Sequence, residues 1–429
     1  MYAVNAVFQR RQDVNPKIAQ SAEPATHSPK KKKTRKSKKA AKKQHWAAFV
    51  LGTGRRGESM KRVLFFSVSI GAGHDLAARA VVEEIQYRYP DCQTKIVDTF
   101  RYINPVLNKV IVGSYMESLK FNPKIWGYLY AQAEEGEKLV DLGQILSKLA
   151  STKMEKLISD FNPQAIVCTH AFPAGILSVL KAKGRFGVPL IGVTTDFTVH
   201  PFWIHQHIDK YVLPCEELTY ELQDYGITED KIMPTGIPLR KQFSKRQSKG
   251  EARKKLGLAD KTTVLVMGGG LGLGEIETVI QTLGNADIDL GIVSVAGKND
   301  RLRTKLQLIS TVNKVTVFGF VENIAEVMSA SDFIVTKPGG LTTAEVLATG
   351  LPMIIVNPLP GQEDRNTEFL LNSGVAVKVR KTGQLVPRIK NLISNGIRLR
   401  QMEEMASLIG KPLAASSLTD FLESSIVND

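Results

Sequence analysis

Residues 333–366 read Phe-Ile-Val-Thr-Lys-Pro-Gly-Gly-Leu-Thr-Thr-Ala-Glu-Val-Leu-Ala-Thr-Gly-Leu-Pro-Met-Ile-Ile-Val-Asn-Pro-Leu-Pro-Gly-Gln-Glu-Asp-Arg-Asn. The apolar runs at 333–335 and 353–356 are typical of buried strands. Between them, a Pro-Gly-Gly turn leads into a predicted helix that starts near Thr342 and ends at Gly350. A strand–turn–helix–strand unit is a building block of parallel sheets, which bind phosphorylated ligands at such turns. The stretch therefore predicts an α/β fold with a ligand site at the turn.

The turn and the start of the helix carry residue types that suit a nucleoside diphosphate. Glycines let the backbone approach a ligand, and the free N–H groups of a helix start attract a diphosphate. Hydroxyls add donors, a lysine adds a cation, and a carboxylate one turn into the helix could accept both hydroxyls of a ribose. These residues are Lys337, Gly339, Gly340, Thr342, Thr343 and Glu345. The alternative is a glycine turn with N-capping threonines and a glutamate that suits the helix dipole.

Three segments of this stretch carry a family resemblance. They are Thr336-Lys-Pro-Gly-Gly-Leu-Thr-Thr-Ala-Glu345, Gly350-Leu-Pro352 and Gly361-Gln-Glu-Asp-Arg-Asn366. They resemble the donor site of the monogalactosyldiacylglycerol synthase and processive diacylglycerol glucosyltransferase family, and further matches extend the resemblance to roughly residues 61–425. Gly339-Gly-Leu-Thr342 is closer to the bacterial glucosyl type than to plant galactosyl enzymes, and MurG-type transferases are more distant. The resemblance implies a GT-B fold, with two Rossmann-like domains facing a central cleft.

Composition indicates the compartment of the protein and the kind of membrane contact that it makes. The 429 residues leave room for two domains. Cys92, Cys168 and Cys215 lie far apart and form no metal motif, which indicates a reducing compartment and no structural zinc. No apolar run approaches the roughly 20 residues of a membrane helix. We therefore expect a cytoplasmic protein with peripheral contact at the cytoplasmic membrane face.

The positive charge is concentrated in the first segment of the chain. Residues 1–59 contain 15 Lys and Arg against three acidic residues, so 12 of the 15 net positive charges lie there. The run at 30–39 predicts a disordered basic N-terminal tail. Three interpretations remain: a solvated extension ahead of a natural start at Met60, a segment that binds anionic lipid headgroups, or one that binds nucleic acid non-specifically.

The first predicted strand, 62–68, leads into Ser69-Ile-Gly-Ala-Gly-His-Asp-Leu76. This loop fails the G-x-G-x-x-G dinucleotide pattern because position 76 is leucine. The resemblance places a Gly-x-Gly-His loop at the cleft, facing the acceptor hydroxyl. An imidazole with an ordinary pKa near 6.5 suits removal of an alcohol proton. We predict His74 as the general base; the alternative is that it only bonds backbone at a helix start.

The resemblance assigns further acceptor contacts to the first domain. His170, Asp196 and His200 each follow a predicted strand, at the edge where α/β sheets keep their ligands. Aromatic residues cluster at 115–130, as at a membrane interface or in the core of a helical hairpin. The predicted acceptor-binding residues are Gly73, Trp126, His170, Asp196 and His200. No carboxylate pairs with the histidines at ligand spacing, so no metal site is predicted.

The second domain adds other donor contacts. A glycine-rich loop at 268–274 fits neither G-x-G-x-x-G nor a P-loop, and its alternative role is a flexible turn. The resemblance places this loop near the donor phosphates, a Gly-Lys-Asn segment beside it, a Phe-Val pair at the uracil and a Gln-Glu pair at the sugar hydroxyls. The predicted residues are Gly268, Gly269, Gly270, Gly297, Asn299, Phe320, Val321, Gln362 and Glu363. Asn366 is expected to cap or support the last loop.

Domain boundaries follow from these elements. We predict a basic extension at 1–59, an acceptor- and membrane-facing domain at 60–240, a linker at 241–255, a UDP-sugar-binding domain at 256–410, and a C-terminal helix at 411–429 that packs back on the first domain.

The resemblance implies inverting transfer of glucose or galactose from a UDP-sugar to diacylglycerol, with no cofactor. Three alternatives remain open. One is MurG-like transfer to another lipid-linked acceptor, and another is a UDP-sugar epimerase, which would need carboxylates at the anomeric carbon. The third is a nucleic-acid-binding protein that acts through its basic segment.

Overall fold

The computed structural model describes residues 60–69, 72–105, 140–269, 272 and 274–427, excepting the side chains of 140–149 and 427. These residues belong to one compact unit. Three of the sequence predictions lie outside the described residues: the basic tail, the aromatic segment with Trp126, and Gly270.

Two six-stranded parallel sheets organise the described chain. Their orders are β2-β1-β3-β4-β5-β6 and β12-β11-β10-β7-β8-β9. Each order reverses beside the strand that opens the domain, as in doubly wound folds. The strands are β1 (Arg62–Ser67), β2 (Gln93–Asp98), β3 (Ala165–Cys168), β4 (Leu190–Val193), β5 (Lys210–Val212), β6 (Ile232–Met233), β7 (Thr263–Met267), β8 (Gly291–Val295), β9 (Val315–Phe318), β10 (Phe333–Thr336), β11 (Met353–Val356) and β12 (Ala376–Val379). The predicted pair of Rossmann-like domains is confirmed.

Helices cover both faces of these sheets. They are α1 (Gly73–Arg88), α2 (Thr99–Ile103), α3 (Val140–Phe161), α4 (Ala171–Ala182), α5 (Leu218–Asp224), α6 (Lys249–Leu256), α7 (Ile276–Gly284), α8 (Asp300–Gln307), α9 (Ile324–Ser329), α10 (Gly340–Thr349), α11 (Gln362–Asn372), α12 (Leu385–Ser394), α13 (Gly396–Ile409) and α14 (Ala414–Val427). Since the central strands are covered on both sides, β3, β4, β7 and β10 are buried at every position.

Strand register aligns the loops that carry the predicted site. Val63 pairs with Ala165 in the first sheet, and Phe333 pairs with Val264 in the second. The carboxyl ends of β1, β3 and β4 therefore open at one edge of the first sheet. Those of β7, β8, β10 and β11 open at one edge of the second sheet, as ligand-binding α/β sheets require.

Two helix boundaries differ from the sequence predictions. The helix of the opening stretch begins at Gly340 and not near Thr342, because Gly339 has extended dihedrals and acts as the N-cap residue. The amphipathic pattern of residues 383–408 predicts one helix, but the structure has two helices there, which meet at Asn395. The Asn395 side chain accepts a hydrogen bond from the Arg398 N–H and so starts the second helix.

Part of the stretch predicted to be a linker is a helix. The Ser248 side chain caps α6 at its start, and Gly257 ends it in the left-handed conformation with φ of 66°. Arg253 is buried there and bonds Asp332 Oδ2 at 2.7 Å and the Ala330 carbonyl at 3.1 Å. These bonds attach α6 to the second domain, which the polar composition of the stretch did not indicate.

The C-terminal helix α14 packs on the first domain although it follows the second in sequence. Leu418, Leu422 and Ile426 share a buried cluster with Val63 and Phe65 of β1. Within the described ranges, none of the helices has the length and apolar character needed to cross a bilayer.

Candidate functional site

The first turn of α10 meets the loops at the carboxyl ends of the first sheet. A Cβ on Gly340 would lie 1.8 Å from the Thr195 carbonyl oxygen, and one on Gly73 would lie 3.7 Å from Leu341 Cβ. Glycine at position 340 is therefore required by a direct backbone approach between the two domains. The contact brings the predicted acceptor loops and the predicted diphosphate turn to one place.

His74 is held at this contact by two bonds to a single ring nitrogen. Nδ1 lies 2.7 Å from the Thr169 carbonyl oxygen and 2.8 Å from the Thr195 hydroxyl. A carbonyl can only accept, so Nδ1 carries the proton and the hydroxyl oxygen shares it. Nε2 of the neutral ring is then the unprotonated nitrogen, which is the tautomer a general base requires.

The surroundings of His74 act on its pKa in opposite directions. Burial lowers the pKa, while the negative charge of Asp196 and the bond to the Thr169 carbonyl raise it, and the net shift is downward from 6.5. The ring is consequently neutral near pH 7.

The other two predicted histidines serve local backbone roles. Nδ1 of His170 accepts from the Phe172 N–H at 3.1 Å, and Nδ1 of His200 accepts from the Phe202 N–H at 3.2 Å. Each ring thereby caps the start of a helical turn. His170 also lies edge-on to His74, with ring centroids 4.8 Å apart. Burial, with the nearby charge of His74, holds the pKa of His170 well below 6.5. His170 is thus both a cap residue and a direct neighbour of the predicted base.

Asp196 is joined to the second domain by Asn366. Asn366 Nδ2 donates to Asp196 Oδ1 and to the Pro338 carbonyl, each at 2.9 Å, and its Oδ1 accepts from the Phe197 N–H at 2.7 Å. Asn366 lies inside α11 and is fully buried. It supports the turn at Pro338 and not the loop of Gln362 and Glu363 for which the sequence predicted it, and it also bonds the first domain.

The predicted diphosphate residues surround the start of α10. A Cβ on Gly269 would lie 4.0 Å from Thr342 Oγ1, so the glycine-rich loop reaches this helix. Lys337 Nζ lies 2.7 Å from Glu363 Oε1, and Glu363 Oε2 accepts from the Leu359 N–H at 2.8 Å. The lysine and the predicted sugar-contacting glutamate are thus an ion pair in this structure, and Gln362 is the first residue of α11.

Two of the predicted donor residues are buried along α10. Thr343 is completely buried, because the helix turns it away from the direction of Thr342. It does not lie on the accessible surface of the site, contrary to the sequence prediction. Glu345 is 8% exposed, and burial raises the pKa of its carboxyl to about 7 against the opposing charge of Arg240.

The remaining donor candidates lie in loops after β7, β8 and β9. Asn299 accepts from the Leu302 N–H at 2.9 Å and donates toward the Gly272 carbonyl at 3.5 Å. It therefore caps α8 and joins two glycine loops, a role that the sequence did not predict. Gly297 has φ of 61°, which favours glycine at that turn. Phe320 is 57% exposed, with Val321 beside it. The structure places Gly268 directly after β7.

A separate groove of about 1230 Å³ opens beside the Asp196 loop, between α5 and α11. Its lining includes Phe197, Glu221, Arg365 and Phe369 from both domains. None of the predicted donor or acceptor residues lines it. The histidine cluster and this groove are therefore distinct features.

Sequence reasoning missed the partners that fix His74. The Thr169 carbonyl and the Thr195 hydroxyl come from loops 95 and 121 residues away along the chain. Thr195 stands directly before Asp196, a predicted acceptor-binding residue, and this position is the signal in the sequence that points to it. No group of three or more His, Cys, Asp or Glu in the part of the chain that the structure describes could hold a metal ion.

Comparisons with known proteins match both halves of the chain. A family described as monogalactosyldiacylglycerol (MGDG) synthase matches residues 74–239, and the glycosyltransferase family 28 C-terminal domain matches 263–418.

Two curated relatives are named processive diacylglycerol beta-glucosyltransferase. The Bacillus licheniformis protein is 27% identical over 370 residues, covering 85% of this chain and 95% of the relative. The Bacillus cereus (strain AH187) protein is 29% identical over 366 residues, covering 84% and 92%. The solved structure of Acinetobacter baumannii MurG superposes with a TM-score of 0.58 at 17% identity, covering 85% of this chain and 99% of that one. This likeness shows the GT-B fold.

Proposed function

The chain belongs to the monogalactosyldiacylglycerol synthase family, and from this premise we propose that it is an inverting glycosyltransferase. It transfers a hexosyl group from a UDP-sugar to diacylglycerol and makes a membrane glycolipid. The observation that carries the proposal is the tautomer of His74, whose Nδ1 is committed to the Thr169 carbonyl and whose Nε2 can accept a proton. This nitrogen belongs to the cluster that meets the start of α10.

The reaction is a single displacement at the anomeric carbon. The lipid hydroxyl loses its proton to His74 Nε2 as its oxygen bonds the anomeric carbon. The bond from that carbon to the UDP oxygen breaks, and the electron pair leaves with UDP. A general base contributes about 10²–10⁴-fold to such a step. Because the nucleophile attacks opposite the leaving group, one displacement inverts the anomeric configuration.

Stabilisation of the departing UDP falls to the second domain. The free N–H groups at the start of α10 suit a diphosphate, and Thr342 adds a hydroxyl. Lys337 exchanges part of its pairing with Glu363 for the diphosphate, which frees the glutamate for the sugar hydroxyls. With these groups in place, we propose that no resident cofactor or metal is needed. Glu345 would accept from the ribose hydroxyls.

The choice of hexose remains glucose or galactose within this proposal. The name of the relatives, which match over most of both chains, favours glucose. The name of the first-domain family favours galactose. Since the two sugars differ only at C4, one or two side chains decide between them.

The MurG-like and epimerase alternatives share the two-domain fold, so the fold does not distinguish them. The first-domain family match supports the diacylglycerol acceptor over both. A lipid acceptor requires the protein to work at a membrane surface, and we propose peripheral contact at the cytoplasmic face. Anionic lipids would attract the basic segment by about 1 kcal/mol for each basic residue near the surface.

The test is a transfer assay with purified protein, diacylglycerol in anionic liposomes, and UDP-glucose or UDP-galactose in parallel, each with and without chelator. Chelator-resistant glycolipid from one donor, lost in His74→Ala, is the expected result. Binding of UDP without lipid product from either donor would instead favour the MurG-like alternative, in which the acceptor is another lipid-linked molecule. A product of retained anomeric configuration would overturn the single displacement.

A further inference from the structure

Asn366 joins the two domains beside His74. It belongs to α11 of the second domain, yet two of its three hydrogen bonds cross to the first domain, to the Phe197 N–H and to Asp196 Oδ1. The third holds the Pro338 carbonyl in the turn that opens α10. One buried side chain thus binds the acceptor loop and the donor turn at the same time.

The loop that Asn366 holds leads directly to the base. Residues 195–197 are consecutive, and the Thr195 hydroxyl lies 2.8 Å from His74 Nδ1. The Asp196 carboxylate acts on His74 through its charge. Fixing Asp196 and Phe197 from the second domain therefore also fixes the hydroxyl and the carboxylate that surround the imidazole.

Packing around Asn366 supports the same contact. The Phe197 ring stacks on Phe369 of α11, with centroids 4.6 Å apart and planes inclined by 24°. On the other side, the Thr195 carbonyl lies against the backbone of Gly340. The loop at 195–197 thus contacts both α10 and α11 of the second domain.

The chemistry of the position calls for an amide. Only an amide side chain can accept from a backbone N–H while its nitrogen donates to a carboxylate and to a carbonyl. An apolar residue of similar size would leave three buried polar groups unpaired. An aspartate would place a second carboxylate against Asp196, which charge repulsion disfavours.

We propose that Asn366 is an interdomain positioning residue that couples domain closure to the assembly of the general base. Its three hydrogen bonds hold the domains closed, and the same bonds set the loop 195–197 against His74. The inference rests on the proposed function for its activity readout, whereas the closure readout is independent of it.

The experiment measures closure and turnover in the full-length protein. Spin labels on Lys183→Cys and Gln307→Cys, exposed positions of the first and second domains, report the interdomain distance distribution. Asn366→Ala is expected to broaden this distribution and to lower kcat about tenfold or more, because closure completes the site. UDP affinity, measured by calorimetry, is expected to stay within about threefold, since the proposed contacts to UDP all come from the second domain.

A charge swap separates this role from a general loss of folding. Asn366→Asp should widen the distance distribution further, by repulsion from Asp196. Adding Asp196→Asn restores an amide–carboxylate bond with the partners exchanged, so the double variant should regain a narrow distribution. The double variant is assessed only by its interdomain distance distribution, because Asp196 itself belongs to the proposed site and its substitution alone could change activity.

Asn372→Ala, at the exposed end of the same helix, is the matched control and should change neither readout. An unchanged distance distribution in Asn366→Ala overturns the proposal. So does a double variant, Asn366→Asp with Asp196→Asn, in which the effects of the two single substitutions on the distance distribution simply add. A loss of UDP affinity equal to the loss of kcat would assign Asn366 to the donor turn alone and also overturns it. If the parent protein transfers no hexose, the proposed function fails while the distance measurements still decide the interdomain role.

Discussion

At the scale of single residues, the protonation state of His74 is set by burial and by groups from two loops. The carbonyl of Thr169 selects the tautomer, burial lowers the pKa, and the Asp196 charge partly restores it. These effects keep the ring neutral near pH 7, as the proposed role of general base requires. They also make the pH dependence of the reaction a direct readout of the site.

Asp196→Asn is expected to shift the acidic limb of the pH profile of kcat/KM to lower pH. The acidic limb reports protonation of the general base in the free enzyme. The Asp196 carboxylate raises the pKa of His74, so its removal lowers that pKa. The new amide keeps an oxygen that can accept from Asn366, so the interdomain bond survives. The check is a profile from about pH 5 to 8 against the parent protein. A shift to higher pH would contradict the assignment of His74 as the base.

Glu345→Gln is expected to flatten the pH dependence of stability. Burial raises the pKa of the Glu345 carboxyl from 4.5 to about 7. Because the folded protein holds this proton more tightly than the unfolded chain, the free energy of unfolding falls as pH rises through this window. The slope is at most about 1.4 kcal/mol per pH unit. The glutamine cannot ionise, so the variant should be more stable than the parent at about pH 8 without UDP.

The measurement is urea denaturation of the ligand-free parent and variant, from the pKa of 4.5 of the unfolded carboxyl up to about pH 8. UDP affinity is measured in parallel. The proposed ribose contact predicts weaker UDP binding by the variant. An equal pH slope in the two proteins would show that Glu345 is ionised at all these pH values, contrary to its burial.

At the scale of elements, the C-terminal helix α14 completes the core of the domain that precedes it. Leu422 is fully buried in a cluster with Val63 and Phe65 of β1. The Arg88 side chain also bonds Asp420 and Ser416 of this helix. The first domain therefore depends on the last residues of the described chain for part of its stability.

Leu422→Ala is expected to destabilise the first domain by about 2–5 kcal/mol, the usual cost of a buried leucine truncation. Chemical denaturation monitored by hydrogen exchange in β1 checks this loss. Leu408→Ala, at a position that is 75% exposed, is the control and should cost much less. UDP binding by the second domain should persist in both variants, and a protein that unfolds only as a whole would contradict this partition.

At the scale of the whole molecule, most of the net charge lies apart from the two catalytic domains. Residues 1–59 account for 12 of the 15 net positive charges, while the predicted base, donor turn and acceptor loops all lie after Met60. Catalysis and the main electrostatic attraction to an anionic surface are therefore assigned to different parts of the chain.

Removal of residues 1–59 is expected to leave the thermal midpoint and transfer to diacylglycerol in neutral detergent micelles unchanged. Binding to anionic liposomes should weaken, and its salt dependence should decrease, since about 1 kcal/mol is lost for each basic residue near the surface. Sedimentation with liposomes at two salt concentrations checks the second effect. Loss of transfer in micelles would instead favour a function that resides in the basic segment.

The sequence by itself determined the fold and the chemistry offered at the ends of the strands. Apolar runs such as 333–335 and 353–356 predict buried parallel strands, and these strands are present as β10 and β11. The Gly-x-Gly-His loop and the Lys-Pro-Gly-Gly turn predict a general base and a diphosphate turn, because both signals are local. A short period or a turn motif can be recognised from consecutive residues alone.

Only the tertiary structure decided which of these groups act together. His170 and His200 have similar sequence contexts and each caps a helical turn, yet His170 also contacts His74. Thr343 and Asn299 look like ligand residues in sequence, but helix direction buries the first and a cap engages the second. The role of Asn366 depends on a bond between residues 170 positions apart. Such pairings are set by sheet order and domain contact, and no pattern within a local stretch of sequence encodes them.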